Sequence, residues 1–263
     1  MDMVLPSFVI LPWQQITKFT GESYYVDECL EAIRLMSNLL ECAFSAFEFE
    51  DGDANRFETV SHPNIRHLTL LETASDYDPS SAHILRLLTL SALQTLKFSG
   101  TDNFDAKEFD SFLERSSPPL RKLAVRPLKG EIELRLSQPF LALIDLVELE
   151  IWCPAWISMY DFFELFDFFE LFGSNPSLLP RLQKLAFLGC LEEDEASVEK
   201  ILHNAAEPII KRRGILPGCA QLQSFRLISR KRAQYSEENL LPFRKLKTSG
   251  MDVYIGTEKR PAL

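Results

Sequence analysis

The sequence predicts an α/β solenoid: one elongated domain over residues 1–263 whose irregular repeats set parallel strands along a concave face and helices along a convex one. Two observations predict it. Apolar residues at the first, fourth and sixth places of Leu93-Gln94-Thr95-Leu96-Lys97-Phe98 recur at Ile16/Phe19, Leu39/Cys42/Phe44, Ile65/Leu68/Leu70, Leu120/Leu123/Val125, Leu146/Leu149/Ile151, Leu182/Leu185/Phe187 and Leu222/Phe225/Leu227. Stretches with helical apolar spacing lie between these signatures, and strand, crossover helix and next parallel strand favour a single right-handed sense.

The signature starts are 23, 26, 28, 27, 26, 36 and 40 residues apart. Most of these intervals lie in or near the roughly 20–29 residues of a leucine-rich repeat, which the unit resembles. Val26, Cys29, Leu30, Ile33 and Met36 place a helix over Tyr24 to Met36, ahead of a strand at Leu39 to Phe44. Ile84, Leu85, Leu87 and Leu88 place another from about Ser80 to Leu90, before the strand at Leu93 to Phe98. Asp105 and Glu108 have capping-box spacing for a helix that buries Phe109, Phe112 and Leu113 and stops at Ser116-Ser117-Pro118-Pro119.

The interval of 36 contains the hexamer Asp-Phe-Phe-Glu-Leu-Phe twice, at 161–166 and 167–172. At about 100° per residue, Phe162, Leu165, Phe166, Phe169 and Phe172 share one face. Phe163 and Leu171 are left among the acids, either under a neighbouring loop or as an exposed apolar spot. The interval of 40 holds a helix over Ala196 to Arg213, with Val198, Ile201, Leu202, Ala205 and Ile209 in line. Pro208 is expected to kink or restart it, and Gly214 and Pro217-Gly218 to end it. Ser236 opens a last helix through Leu240 and Leu241, and a closing strand follows at Met251 to Ile255.

Apolar residues make up 46% of the chain and 20 are phenylalanine, enough burial to argue against wholesale disorder. No apolar run approaches the roughly 20 residues of a membrane helix, and the start carries no basic stretch of a signal peptide. The expected compartment is the cytoplasm or nucleus. Five cysteines, an odd number without Cys-x-x-Cys spacing, indicate neither a disulfide framework nor a zinc site, and Cys42 and Cys29 fit the core.

The formal charge of −10 argues against nucleic acid as a partner. It is unevenly spread: residues 1–199 carry 15 basic and 33 acidic side chains, a formal −18, and residues 200–263 carry 13 and 5, a formal +8. Solvated helix faces and a basic end region account for this. The alternative is self-association of acidic and basic ends, or a partner docked at Lys211, Arg212, Arg213, Arg230, Lys231 and Arg232.

Chemistry finds little support. The histidines at 62, 67, 83 and 203 lack metal-ligand spacing, and His62-Pro63 reads as ordinary loop. There is no phosphate loop, Gly-x-Gly-x-x-Gly or Gly-x-Ser-x-Gly. The acids at 48–53 and 192–195 lack the ligand ladder of a calcium loop. The expectation is a non-enzyme with no cofactor and no metal. What a solenoid offers is the strand face between its inward leucines: Lys18, Glu41, His67, Thr95, Lys97, Lys122, Arg126, Glu148, Glu150, Trp152, Lys184, Arg226, Asp252 and Tyr254. The candidate protein-binding residues are Lys97, Lys122, Arg126, Glu148, Glu150, Trp152, Lys184 and Arg226. They centre on Trp152 with Arg126 and Glu150, since Trp and Arg contribute about 2 kcal/mol or more at interfaces most often.

Four phrases carry a further resemblance: Leu11-Pro12-Trp13-Gln14-Gln15-Ile16-Thr17, His62-Pro63-Asn64-Ile65, the run from Phe112 to Leu120, and Gly250 to Thr257. As an ordered set they resemble the F-box-type leucine-rich repeat proteins of basidiomycete fungi. The resemblance implies that the repeats present a substrate to a ubiquitin ligase, while an F-box grips a Skp-type adaptor. The stretch before Trp13 leaves no room for an F-box, so adaptor binding is expected only of a longer form. The family's Asn or Cys two residues past each strand is loosely matched by Thr73, Thr101 and Cys190 and not by Leu128, Pro154 or Arg230, which implies irregular turns. The other reading is a stand-alone or relic scaffold without a ubiquitin connection.

Overall fold

Alternation of apolar and polar residues within each signature sends every second side chain to the same side of a strand, and the structure follows that alternation closely. The computed structural model describes residues 11–45, 58–71, 81–100, 106–127, 137–152, 159–190, 195–214, 217–230 and 235–263. It is an α/β fold of parallel strands alternating with helices, and the chain divides into two compact units, Met1–Leu120 and Arg121–Leu263.

In the first unit a 3-10 turn at Trp13–Gln15 leads into β1 (Lys18–Glu22), α1 (Val26–Leu35), β2 (Glu41–Ser45), β3 (Val60–Ser61) and β4 (His67–Leu71). Then come α2 (Ser81–Arg86), β5 (Leu88–Thr89), β6 (Thr95–Gly100) and α3 (Ala106–Ser116). Strands β1, β2, β4 and β6 pair in parallel with the signatures in register, so that Phe19, Cys42, Leu68 and Leu96 form one inward row and Gly21, Phe44, Leu70 and Phe98 the next. The helix expected to run to Leu90 ends at Arg86. Leu88 and Thr89 form a strand instead, paired with Val60 and Ser61 in a small parallel sheet, and the backbone groups there are satisfied across chains of the loop rather than along a helix. Asp105 of the expected capping box lies outside the described residues.

The second unit runs β7 (Lys122–Pro127), α4 (Ser137–Ala142), β8 (Glu148–Trp152), α5 (Met159–Ser174) and β9 (Lys184–Cys190). It continues through α6 (Glu195–Arg213), β10 (Ser224–Ser229), α7 (Glu237–Thr248), β11 (Asp252–Thr257) and β12 (Arg260–Pro261). Strands β7 to β11 are parallel neighbours in chain order. Strand β12 returns antiparallel to β11, a hairpin beyond the expected closing strand. Ser236 caps α7 as expected, accepting the Asn239 N–H at 3.3 Å.

Both units use one joint between repeats. Two successive N–H groups share the carbonyl of the residue just after the previous signature's first leucine: Leu40 and Glu41 on Thr17, Arg66 and His67 on Leu40, and Gln94 and Thr95 on Arg66. In the second unit Val147 and Glu148 share Arg121, Gln183 and Lys184 share Val147, and Gln223 and Ser224 share Gln183. Strands β2, β6, β8 and β9 are also entered through a tight turn, with Leu39, Leu93, Leu146 and Leu182 donating to the carbonyls of Met36, Leu90, Leu143 and Leu179. Those four turn residues are buried core positions that the six-place signature does not include.

The duplicated hexamer folds into α5. Phe169 and Phe172 are buried as expected, but so is Phe168, stacked on Phe172 at 5.6 Å and edge-on to Phe140 at 5.9 Å. The apolar stripe of α5 is therefore wider than one helical line, because it is flanked on two sides. Leu171 is 38% exposed, which decides between its two readings in favour of the exposed spot. The side chains of Phe162, Phe163, Leu165 and Phe166 lie outside the described residues. Helix α6 passes through Pro208 without restarting. Pro208 packs on Gly173 of α5 so closely that a Cβ at 173 would stand 2.8 Å from its Cα.

Candidate functional site

The outward face of the second unit is built by register. Lys122, Glu148 and Lys184 are consecutive partners across β7, β8 and β9, and Ala124, Glu150 and Ala186 make the row above. Small alanines on either side leave the Glu150 side chain free to lean toward the lysine. The Lys122 ammonium sits between Glu148 Oε1 at 3.2 Å and Glu150 Oε1 at 3.1 Å, and Lys184 Nζ is 3.9 Å from Glu148 Oε2. Burial alone would lower the Lys122 pKa; hydrogen bonds and charge from Glu150 and then Glu148 outweigh it and raise the pKa above the ordinary value. The pair of carboxylates is thus occupied by its own lysines.

Further along the same face, Arg226 Nε is 3.9 Å from Asp252 Oδ2, which also accepts from Ser224 Oγ at 2.9 Å. Of the sequence-derived candidates, the fold brings Lys122, Glu148, Glu150 and Lys184 into one ion network and puts Arg226 in a second. Lys97 stands on β6 in the first unit, in register with Thr69. Arg126 belongs to β7, but its side chain is not among those described.

Trp152 ends β8 and begins a third, apolar row, being the partner of Leu188, which pairs with Ile228, which pairs with Gly256. All three apolar side chains are half-buried. Just past Leu188 the ladder slips by one residue: Ser229 pairs with Cys190 and Gly189 is bulged out at φ 72°, a conformation that suits glycine. The β11–β12 hairpin closes the far side. Gly256 has φ 150°, and a Cβ there would lie 2.5 Å from the Arg260 carbonyl oxygen, so only glycine lets the hairpin fold back. Thr257 fixes the turn, its hydroxyl oxygen accepting the Arg260 N–H at 3.1 Å.

Bulge and hairpin together enclose a cavity of about 670 Å³ at the strand ends. Trp152 and Ile228 contribute apolar surface, Ser229 and Thr257 hydroxyls, and Arg230, Lys259, Arg260 and Glu258 charge. Of the sequence-derived candidates, Trp152 of the strand face and Arg230 of the basic end line it. The turn residues 257–260 were missed, although Gly256-Thr257-Glu258-Lys259 followed by Arg260-Pro261 has the composition of a turn after a strand.

The basic cluster of the α6 region is partly dismantled. Arg212, expected as a docking residue, is 2% exposed. Its guanidinium donates to the carbonyls of Phe172 (2.5 Å), Asn175 (3.1 Å) and Leu178, and its Cζ lies 4.3 Å from the Phe172 ring centroid. The reason is its place on the helix: it continues the buried line of Ile201, Ala205 and Ile209, and the carbonyls at the C-terminus of α5 compensate its charge. Burial lowers its pKa while Cys219 nearby opposes that. Lys211 pairs with Glu207 at 2.8 Å, and Lys231 and Arg232 lie outside the described residues.

His62 is not an ordinary loop residue. It is buried, occupies the turn position three before Ile65, donates from Nε2 to the Met36 carbonyl at 2.9 Å and accepts the Asn64 N–H on Nδ1 at 3.3 Å. Cys29 and Cys42 are buried free thiols, and burial raises the pKa of both, that of Cys42 to about 12, which makes thiolate chemistry unfavourable. Among the described residues no His, Cys, Asp and Glu side chains are grouped to hold a metal ion, and no helix is long and apolar enough to cross a membrane. Compared with protein-family models, curated proteins and solved structures, the chain finds no match.

Proposed function

We propose that the chain is a non-enzymatic, leucine-rich-repeat-like solenoid that binds a protein on its concave strand face, with the second unit carrying the contact. One observation supports this most. The two inward rows set by the signatures in β7 to β11 are apolar, whereas the outward rows set charged, small and aromatic side chains in register, including a half-buried Trp152. Outward side chains contribute little to the core, so their variety suits recognition, and an aromatic anchor amid satisfied charges is the usual composition of an interface centre.

Affinity capture from a fungal lysate tests it, comparing wild type with Trp152→Ala plus Arg226→Glu. Partners should be depleted by the double change; if all of them survive, the strand face is not the contact. Through its resemblance to F-box-type repeat proteins, the module is further read as the substrate-recognition part of a ubiquitin ligase adaptor. Captured partners should then persist longer in cells lacking the chain. Turnover that ignores the chain would instead favour the stand-alone scaffold.

A further inference from the structure

We infer that the side-by-side C-termini of α6 and α7 dock on the acidic first unit of a second copy of the chain, joining copies head to tail. This goes beyond the strand-face reading and uses a different surface of the second unit.

The two helices run parallel. At their starts Glu199 of α6 accepts from Ser236 and Asn239, and at their ends Arg213 donates to the Ser249 carbonyl at 3.3 Å. The final turns thus bring together Arg213, Lys245 and Lys247, which form no ion pair among the described residues. The neighbouring cations are engaged, Lys211 by Glu207 at 2.8 Å and Arg244 by Glu237. Each helix C-terminus carries about half a negative charge, so three cations exceed what two dipoles compensate, and about two positive charges remain. No acid outside the described residues adjoins this end in chain order. Ile215-Leu216 follow α6, residues 231–234 ahead of α7 include no acid, and the acids at 192–194 precede α6, beyond its whole length of about 28 Å.

Charge complementarity names the occupant. The first unit, residues 1–120, holds 8 basic and 19 acidic side chains, a formal −11; residues 121–263 hold 20 and 19, a formal +1. That imbalance is set by composition and needs no particular loop arrangement. A nucleic acid fits worse, since three cations neutralise few phosphates and the chain as a whole repels a polyanion. Screening over about 8 Å at physiological ionic strength mutes repulsion between distant acids and spares groups in contact. Basic patch and acidic unit are different surfaces, so the contact is heterologous and repeats from copy to copy.

Sedimentation velocity of the full chain over a range of concentrations tests this. At about 0.15 M salt the average mass should climb above that of the monomer as concentration rises, and about 1 M salt should return it to the monomer. Lys245→Glu plus Lys247→Glu should weaken the association about tenfold or more with an unchanged thermal midpoint, since both side chains are exposed. That variant keeps its acidic unit, so in excess over wild type it should cap growing assemblies and shorten them. A monomer at every concentration, assembly that survives high salt or the double variant, or a monomer that binds a single-stranded oligonucleotide instead would overturn the inference.

Discussion

The first unit adds to its ring contacts, such as Phe19 on Phe44 at 5.8 Å, a set of polar side chains pinned on backbone carbonyls, whereas the second runs a longer chain of phenylalanine rings beside one buried guanidinium. In the first, Asn38 donates to Gln14, His62 to Met36 and Asn64 to Ser37, Arg115 reaches Leu85 and Leu88, and Ser116 Oγ accepts the Leu90 N–H. In the second, Phe169, Phe187, Phe225 and Phe243 form a chain of rings with centroids 5.4 to 6.4 Å apart. Repeat length explains the difference. Intervals of 23 to 28 residues leave room for helices of 6 to 11 residues, and the loops must be pinned directionally. Intervals of 36 and 40 accommodate helices of 16 and 19 residues, whose broad apolar faces hold neighbours without directional bonds.

Arg212→Ala breaks that comparison most severely if it is right. Removing a buried cation leaves the Phe172, Asn175 and Leu178 carbonyls without their donor, at a cost of about 3–5 kcal/mol in urea unfolding. The half-buried Arg115→Ala should cost about 1–2 kcal/mol. Equal losses would mean that the two arginines do the same job. Phe225→Ala, at the centre of the ring chain, should cost about 3–5 kcal/mol and loosen hydrogen-exchange protection in both β9 and β11.

His62→Ala should cost about 1–3 kcal/mol, with exchange accelerating around Ile65, because it removes a donor and an acceptor from one turn. A neutral outcome would show that the first unit does not depend on its polar pins. The smallest effect belongs to Glu199, which joins α6 to α7 by accepting from Asn239 and Ser236. Burial alone would raise its pKa, but those hydrogen bonds outweigh it and hold the carboxyl below the ordinary 4.5. Its contribution is therefore present above that value and lost as pH falls through the lower folded pKa. Glu199→Gln should be slightly the less stable chain at neutral pH, with the gap in thermal midpoint closing in acid.

Much of the strand register was legible because it rests on a local pattern of period two repeated at known intervals: Leu68, Leu96, Leu149 and Leu185 all pair as their spacing implies. The ion network at Lys122, Glu148 and Lys184 follows from the same alignment. Arg212 was legible in principle, since 201, 205, 209 and 212 share one helical stripe, but charge weighed more than phase in reading it. His62 was hidden because a histidine replaced the apolar residue found at Met36 and Leu90. The cavity was out of reach: it depends on a one-residue bulge and a hairpin return, and neither follows from apolar spacing.

The strand face as a protein contact is tested most directly by hydrogen exchange of the chain with and without a captured partner. Protection gained in the segments 148–152, 184–190 and 252–261, with helices α5 to α7 unchanged, is the predicted result. Protection confined to those helices would contradict it.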